Sequence, residues 1–178
     1  MEDISKMMTS IDQDWATPQY FVDLVEKKMN KKFDLDCCAY DHTAKAPKWL
    51  TEEDDALSKD WIGNVWMNPP YGQAIPTWLN YAYEQSQKNN STIVCLVPAR
   101  TDTVWFHEAA ARGNLTLLKG RIAFERAHGK DTEHKSGAFG SMLIIFSKDK
   151  KYMPGKISRW EWKNDLLAKE KREKEDND

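Results

Sequence analysis

Apolar residues recur at helical spacing in several parts of the chain. Tyr20, Phe21 and Leu24 belong to one such stretch, which predicts an amphipathic helix over residues 18 to 31. Thr17 is placed to cap this helix, and Pro18 stands at its first position. A second helix is predicted over residues 74 to 88, and a third is predicted to begin after a capping Asp102 and to end near residue 113.

Between these helices lie short apolar runs of the kind that form buried strands. The clearest is TIVCLV at residues 92 to 97, a mostly β-branched run closed by Pro98, which favours a buried parallel strand. Further strands are predicted at residues 33 to 36, 64 to 67, 115 to 118 and 142 to 146, and a short helix at residues 51 to 57. Because strands and helices alternate, the pattern predicts an α/β domain with a mostly parallel sheet.

The 178-residue chain has the length of one domain, and no run of apolar residues is long enough to span a membrane. Residues 1 to 147 are predicted to hold the globular domain. Residues 148 to 178 are expected to form a charged, partly helical tail, either a solvated helix or an arm that contacts DNA. The N-terminus lacks the features of a secretion signal, so we expect a cytoplasmic protein.

Charge and cysteine content narrow the possible chemistry. The formal net charge of −2 means that a nucleic-acid partner must be held by a local basic patch. The three cysteines, two of them adjacent as Cys37 and Cys38, match no zinc spacing. We therefore predict reduced thiols and no bound metal.

The segment NPPY, residues 68 to 71, carries the most specific chemical signal. Its two prolines end the preceding strand in a rigid turn. The side-chain oxygen of Asn68 and the carbonyl of Pro69 can accept both hydrogens of a planar amine, while Tyr71 after Pro70 can stack on a base. The turn of Asp36 should face the same crevice, because ligands of open α/β sheets bind at the carboxyl ends of strands. The alternative is that NPPY is only a strand-terminating turn.

The order of eight segments resembles one enzyme family. They are DxWATPxxF (14 to 21), FDLDCCA (33 to 39), AK (44 and 45), DAL (55 to 57), VWMNPPYG (65 to 72), VPARTDTVWFH (97 to 107), GRIAF (120 to 124) and SMLIIF (141 to 146). Together they are similar to the phage-type DNA N6-adenine methyltransferases, the Dam family of phages and prophages. This resemblance implies a Rossmann-like fold, mostly parallel with a terminal antiparallel strand, in a protein encoded by a phage or prophage and acting in its bacterial host.

The resemblance also implies roles for individual residues. The catalytic set is Asn68, Pro69, Pro70 and Tyr71. The S-adenosylmethionine set is Trp15, Thr17, Pro18, Asp36, Cys37, Cys38, Ala39, Asp55 and Asn68, with Asp54 competing for the place of Asp55 and Thr43 standing where the family often has Asn. The donated methyl is expected to go to N6 of an adenine flipped out of double-stranded DNA.

For DNA contacts we expect Arg100, Arg121, Arg126, Lys130 and Lys135. Arg100 has an alternative role, in which it pairs with Asp102 and braces the loop, and His107 is expected to be structural. The segment from residue 126 to 138 is either a DNA-facing loop or an ordinary hairpin connection. Both a monomer and a homodimer remain open.

Two other functions stay open at the level of sequence. NPPY also occurs in methyltransferases that act on RNA amines or on glutamine amides of proteins. The second alternative is a catalytically idle DNA-binding module on the same fold.

Overall fold

The computed structural model describes residues 15–126, 135–136 and 139–175. Its strands are β1 (Trp15–Ala16), β2 (Leu35–Asp36), β3 (Lys48–Trp49), β4 (Asn64–Met67), β5 (Thr92–Pro98), β6 (Asn114–Leu118), β7 (Ala123–Arg126), β8 (Lys135–Ser136), β9 (Ser141–Phe146) and β10 (Ile157–Trp160). Its helices are α1 (Gln19–Met29), α2 (Ile75–Asn89), α3 (Val104–Glu108) and α4 (Trp162–Glu175), with 3-10 turns at Glu52–Asp54, Ala56–Ser58 and Ala110–Arg112.

Seven strands form the main sheet in the order β10-β6-β9-β5-β4-β2-β3, and β1, β7 and β8 form a small second sheet. All neighbours in the main sheet are parallel except at β9, which runs antiparallel to both β5 and β6. The predicted mostly parallel α/β sheet is thus confirmed. The antiparallel strand β9 lies inside the sheet, between β5 and β6, because it starts at the edge where both of these strands end. The outermost strand on that side of the sheet is the parallel strand β10.

Both faces of the sheet are covered, as the continuous apolar strands require. Val65, Met67 and Ile93 point to the side where α2 packs, in a buried cluster with Leu79 of that helix. Alternate residues of the same strands, such as Trp66, join a second buried cluster with residues of α1. Side chains that follow Trp66 at even spacing therefore point toward the face covered by α1.

Two predicted helix caps are wrong. Pro18 occupies the capping position of α1 in an extended conformation, and its carbonyl accepts hydrogen bonds from the backbone N–H groups of Phe21 and Val22, so the side chain of Thr17 has no capping role. Asp102 pairs with Arg100 instead of capping α3. Helix α3 begins after Thr103 and ends at Glu108, short of residue 113.

The segment after residue 147 contributes to the packed structure. Strand β10 extends the sheet by pairing in parallel with β6. Trp160 and Trp162 are buried against Phe21 of α1, at ring-centroid distances of 5.8 and 5.4 Å. The helical part of the predicted tail is present as α4, whereas a domain boundary at residue 147 stays a prediction. None of the helices in the described ranges is long and apolar enough to cross a membrane.

Candidate active site

Two strand-end turns lie side by side at the carboxyl edge of the sheet. Strands β2 and β4 are parallel neighbours in which Asp36 stands opposite Trp66. Cys38 and Asn68 each follow two residues later, so both turns leave the sheet at the same edge. The backbone N–H and the thiol of Cys37 both donate to the carbonyl of Trp66, at 3.1 and 3.4 Å, and tie the first turn to the second.

The NPPY turn presents buried polar atoms that have no partner. Within the described part of the chain, neither the Oδ1 atom of Asn68 nor the hydroxyl of Tyr71 finds a hydrogen bond, although both atoms are buried. Burial also raises the pKa of the Tyr71 phenol above its ordinary value. Buried polar atoms usually have partners, so these two are candidates for contact with a ligand.

Two features hold the NPPY turn in its conformation. Pro69 is buried, and Gly72 takes a φ of 99°, in the left-handed region that favours glycine. The ring of Tyr71 packs against Phe139, with 6.0 Å between the ring centroids and 53° between their planes. Phe139 lies just before β9, whose first residue Ser141 is paired with Pro98 at the same edge.

The buried carboxylate of Asp36 holds the turn after β2 together through hydrogen bonds to its backbone. Its carboxylate oxygens accept the backbone N–H groups of Cys38 at 3.1 Å and Lys45 at 3.0 Å. Its side chain is only 3% exposed, and burial outweighs these hydrogen bonds, so that the pKa of Asp36 is raised to about 6. The N–H of Ala39 donates to the carbonyl of Leu50 at 3.1 Å, so the N–H groups of residues 37 to 39 are all used internally.

Lys45 lies within the electrostatic influence of Glu125 in the small second sheet. Burial lowers the pKa of Lys45, while Glu125 and Asp36 act in the opposite direction through their charge. Glu125 belongs to β7 and stands opposite Ala16 of β1. The next residue, Thr17, is 2% exposed, and its hydroxyl has no hydrogen-bond partner in the described residues. A third unpaired polar atom thus lies in the segment that leads into α1.

A comparison with known proteins identifies the family. The family of DNA N-6-adenine-methyltransferases (Dam) matches residues 4–172. The chain belongs to this family. It is similar to the DNA N-6-adenine-methyltransferase of Haemophilus phage HP1 (strain HP1c1), with 35% identity over 142 residues that cover 78% of this chain and 80% of that protein. A protein of the same name from Escherichia phage T1 is 35% identical over 152 residues, which cover 74% of this chain and 61% of that protein.

Membership of the Dam family confirms the predicted adenine-specific DNA methyltransferase and the resemblance on which it was based. A methyltransferase needs a methyl donor, and a DNA methyltransferase is expected to bind DNA. A cytoplasmic location stays a prediction, although both relatives are phage proteins. Among the described residues, no three His, Cys, Asp or Glu side chains converge in a way that could hold a metal ion.

The acidic pair Asp54 and Asp55 divides between two environments. The carboxylate of Asp54 accepts the backbone N–H and the hydroxyl of Thr51, at 2.8 and 2.9 Å, and so closes the short turn after β3. Asp55 has a left-handed φ of 50° and an exposed side chain. The carboxylate of Asp55 accepts no hydrogen bond from Thr51, so Asp55 is better placed than Asp54 to bind another molecule.

The basic residues predicted to contact DNA lie in different parts of the structure. The Arg100 guanidinium lies 3.3 Å from the Asp102 carboxylate, so the predicted pair is present, whereas bracing of the NPPY loop stays a prediction. The His107 ring lies 3.0 Å from the carbonyl oxygen of Thr101. Arg121 is exposed. Arg126 stands opposite Trp15 of β1 and Lys135 opposite Phe124 of β7, and Lys130 lies outside the described residues.

Sequence reasoning missed Lys45 and Phe139 as parts of this site. Lys45 follows Ala44 in the family segment AK, but nothing in its spacing shows that its N–H reaches Asp36. Phe139 stands two residues before the apolar run SMLIIF, which predicts a strand. The start of that strand was the one signal in the sequence that could have pointed to Phe139 as a neighbour of Tyr71.

A groove of about 480 Å³ lies at the opposite edge of the sheet, where β9 ends, and is lined by Tyr83, Arg112 and Phe146.

Proposed function

We propose that this protein transfers a methyl group from S-adenosylmethionine to N6 of an adenine flipped out of double-stranded DNA, with Asn68 as the residue that holds the amine. One observation carries the proposal: the Asn68 Oδ1 atom, at the carboxyl end of β4, is buried without a hydrogen-bond partner among the residues that the structure describes. A buried acceptor left unpaired costs stability, so a fold that keeps one at its ligand-binding edge has a use for it.

The two proposed hydrogen-bond acceptors, Asn68 Oδ1 and the Pro69 carbonyl, would make the weakly nucleophilic amine of adenine more reactive. The lone pair of N6 is delocalised into the adenine ring, and hydrogen bonds from its two hydrogens to Asn68 Oδ1 and the Pro69 carbonyl draw the nitrogen toward tetrahedral geometry. The lone pair then points out of the ring plane. Rigid prolines on one side and the buried packing of β4 on the other hold both acceptors still, which supplies the orientation that such a transfer needs.

Tyr71 supports the base from its face. Its ring is half-buried and packs against Phe139, so a stacked adenine meets an aromatic surface that is already in position. Stacking of a base on an aromatic side chain is worth about 1–3 kcal/mol. Because Asn68 is recessed, an adenine within a duplex reaches it only by leaving the helix, which is why we propose base flipping.

The cofactor-binding residues fit a donor placed between the β2 turn and the start of α1. S-adenosylmethionine supplies a methyl group made electrophilic by a sulfonium. The Thr17 hydroxyl is buried and available, and Pro18 fixes the chain beside it. The N–H groups of Cys37, Cys38 and Ala39 are already bonded, so we propose that this turn shapes the pocket while Asp36 holds the turn together.

Two further groups complete the proposed site. The exposed carboxylate of Asp55 is suited to accept from the ribose hydroxyls of the donor. Arg100 is suited to exchange Asp102 for a DNA phosphate, because an exposed ion pair contributes little and the exchange costs little. Trp15 remains a candidate on the resemblance, and Arg121, Arg126, Lys130 and Lys135 remain candidates for DNA contact on their positive charge and place in the sequence. A monomer is as compatible with this site as a homodimer.

The test replaces the unpaired acceptor. Asn68→Ala should lower turnover by about 10² to 10³-fold, the loss typical for one transition-state hydrogen-bonding group, while cofactor affinity stays nearly unchanged. Asn68→Asp is the matched variant, because it retains an acceptor of the same shape and should keep more activity than Asn68→Ala. Turnover is measured with labelled S-adenosylmethionine and plasmid DNA from a methylation-deficient host, followed by nucleoside analysis.

The same assay separates the proposal from its alternative. N6-methyladenine that appears with the wild type and is lost with Asn68→Ala supports the assigned role, and wild-type turnover in Asn68→Ala contradicts it. In parallel reactions that offer RNA or protein, label that enters one of these but not DNA would show that the amine held by Asn68 belongs to a different substrate.

A further inference from the structure

Of the strongly exposed hydrophobic side chains, Val104 has an unusual position. Five large hydrophobic side chains in the described residues are more than half exposed: Ile62, Val104, Met153, Ile157 and Leu167. Ile62 and Ile157 lie at the amino ends of β4 and β10, Met153 precedes β10, and Leu167 lies within α4. Val104 follows the carboxyl end of β5, whose neighbour β4 leads into the NPPY turn.

The loop that carries Val104 is bonded to itself at nearly every residue. The N–H of Arg100 donates to the Pro98 carbonyl at 2.9 Å, and the Thr103 hydroxyl donates to the Arg100 carbonyl at 2.8 Å. The Arg100–Asp102 pair and the contact of His107 with the Thr101 carbonyl close the remaining sides. These bonds, with the one that the Ala99 N–H donates to the Gly140 carbonyl at 2.9 Å, hold the loop before α3 in one conformation.

Helix α3 presents Val104 to solvent while it is anchored behind. Phe106 and Ala109 are 8% and 2% exposed and join the core cluster on the α2 side, whereas Val104 is 69% exposed. A valine in a helix has one strongly preferred rotamer, so its two methyl groups are held in one orientation. The result is a stiff apolar projection on the helix that follows β5, the strand next to β4 and its NPPY turn.

A flipped base leaves a gap in the duplex that an apolar side chain can enter. Proteins that distort DNA insert apolar wedges between base steps and so offset part of the cost of unstacking. Arg100, four residues before Val104, is suited to hold the phosphate beside such a gap. We infer that Val104 enters the duplex next to the flipped adenine and stabilises the opened state as a positioning residue, an inference that rests on the proposed function.

The experiment compares duplex and single-stranded forms of one substrate. Plasmid DNA is methylated by the wild type and by Val104→Ala, either native or after heat denaturation. Loss of two methyl groups from a buried contact predicts about a tenfold lower kcat/KM on native plasmid. On denatured plasmid, where there is no stack to enter, the rate should match the wild type.

Two further variants keep the result interpretable. Val104→Ile retains the branched projection and should retain duplex activity. Ile62→Ala is the matched control, because Ile62 is 66% exposed at the opposite edge and its replacement should change neither rate. Equal losses on both forms of DNA, or no loss on native plasmid, would overturn the inference. Failure of the wild type to methylate any DNA would instead overturn the proposed function.

Discussion

Burial of Asp36 makes the stability of this fold fall as pH rises through the weakly acidic range. The pKa of Asp36 is raised from its ordinary 3.8 to about 6, because burial outweighs the hydrogen bonds from the N–H groups of Cys38 and Lys45. Between these two values the folded state binds more protons than the unfolded state. The linkage relation then requires the free energy of unfolding to decrease with rising pH.

The magnitude follows from the gap of about two pKa units. Each unit corresponds to about 1.4 kcal/mol, so ionisation of Asp36 should lower the free energy of unfolding by about 3 kcal/mol, complete once the pH is well above 6. Asp36→Asn removes this titration. The NH2 group of the new amide is a donor and cannot accept the hydrogen bond of one of the two backbone N–H groups, so the variant should be less stable by about 1–3 kcal/mol at every pH. The difference in stability between wild type and variant should therefore shrink by about 3 kcal/mol from pH 3 to pH 8.

The assay is urea unfolding of both proteins at intervals of one pH unit, with the free energy of unfolding extrapolated to water. Asp54→Asn is the control of opposite sign. Hydrogen bonds from Thr51 lower the pKa of Asp54, so its contribution is present above the ordinary pKa and lost as pH falls. If the difference between wild type and Asp36→Asn is flat or grows with pH, Asp36 is ionised in the folded state at low pH and the reasoning from burial is refuted.

Two further predictions concern packing. Gly113→Ala would place a Cβ atom 2.6 Å from Ile144 Cγ2 and 2.9 Å from the Phe146 ring, and the overpacked core should lose about 1–3 kcal/mol in urea unfolding; an unchanged midpoint would contradict this contact. A chain that ends at residue 147 lacks β10 and the buried Trp160 and Trp162. Loss of one buried tryptophan side chain typically lowers the free energy of unfolding by about 3–5 kcal/mol, so this chain should show no cooperative unfolding transition by circular dichroism. A chain ended at residue 163 keeps these groups and should remain folded; cooperative unfolding of the shorter chain would show that the domain is complete at residue 147.

The sequence predicts the elements whose signals are local. Strand β4 is predicted with its observed bounds, because two prolines end it, and β5 differs only by inclusion of Pro98. Helices α1 and α2 agree within two residues because their apolar spacing is regular over three or more turns. These segments form the centre of the sheet, so the fold class follows from them.

Elements formed by pairing alone were not predictable in this way. Strand β1 has two residues, and it exists because Trp15 and Ala16 meet Arg126 and Glu125 of β7. Strand β10 is exposed along much of its length and lies among charged residues, which conceals its apolar signal. Asp102 is a reasonable cap by residue type, but a guanidinium two residues away competes for its carboxylate.

Some parts of the candidate site were predictable from local sequence, and others depend on tertiary contacts. Asn68 and Tyr71 were predictable because motif chemistry alone singles them out. The bond from the Lys45 N–H to Asp36, and the packing of Phe139 on Tyr71, join residues that come together only through the turn after β2 and the start of β9. Such contacts depend on tertiary structure, and no periodicity in the sequence records them.

The distribution of unpaired polar atoms connects the fold to its chemistry. Six buried side-chain polar atoms in the described residues have no hydrogen-bond partner, and four of them belong to Thr17, Asn68, Tyr71 and Ser141. Asn68 and Tyr71 follow β4, Ser141 starts the antiparallel β9 opposite the end of β5, and Thr17 follows the strand that pairs with β7. Asn68, Tyr71 and Ser141 therefore lie at the carboxyl edge of the main sheet. Each unpaired atom costs about 1–3 kcal/mol in a folded protein, so their concentration at one edge is best explained by ligands that complete them.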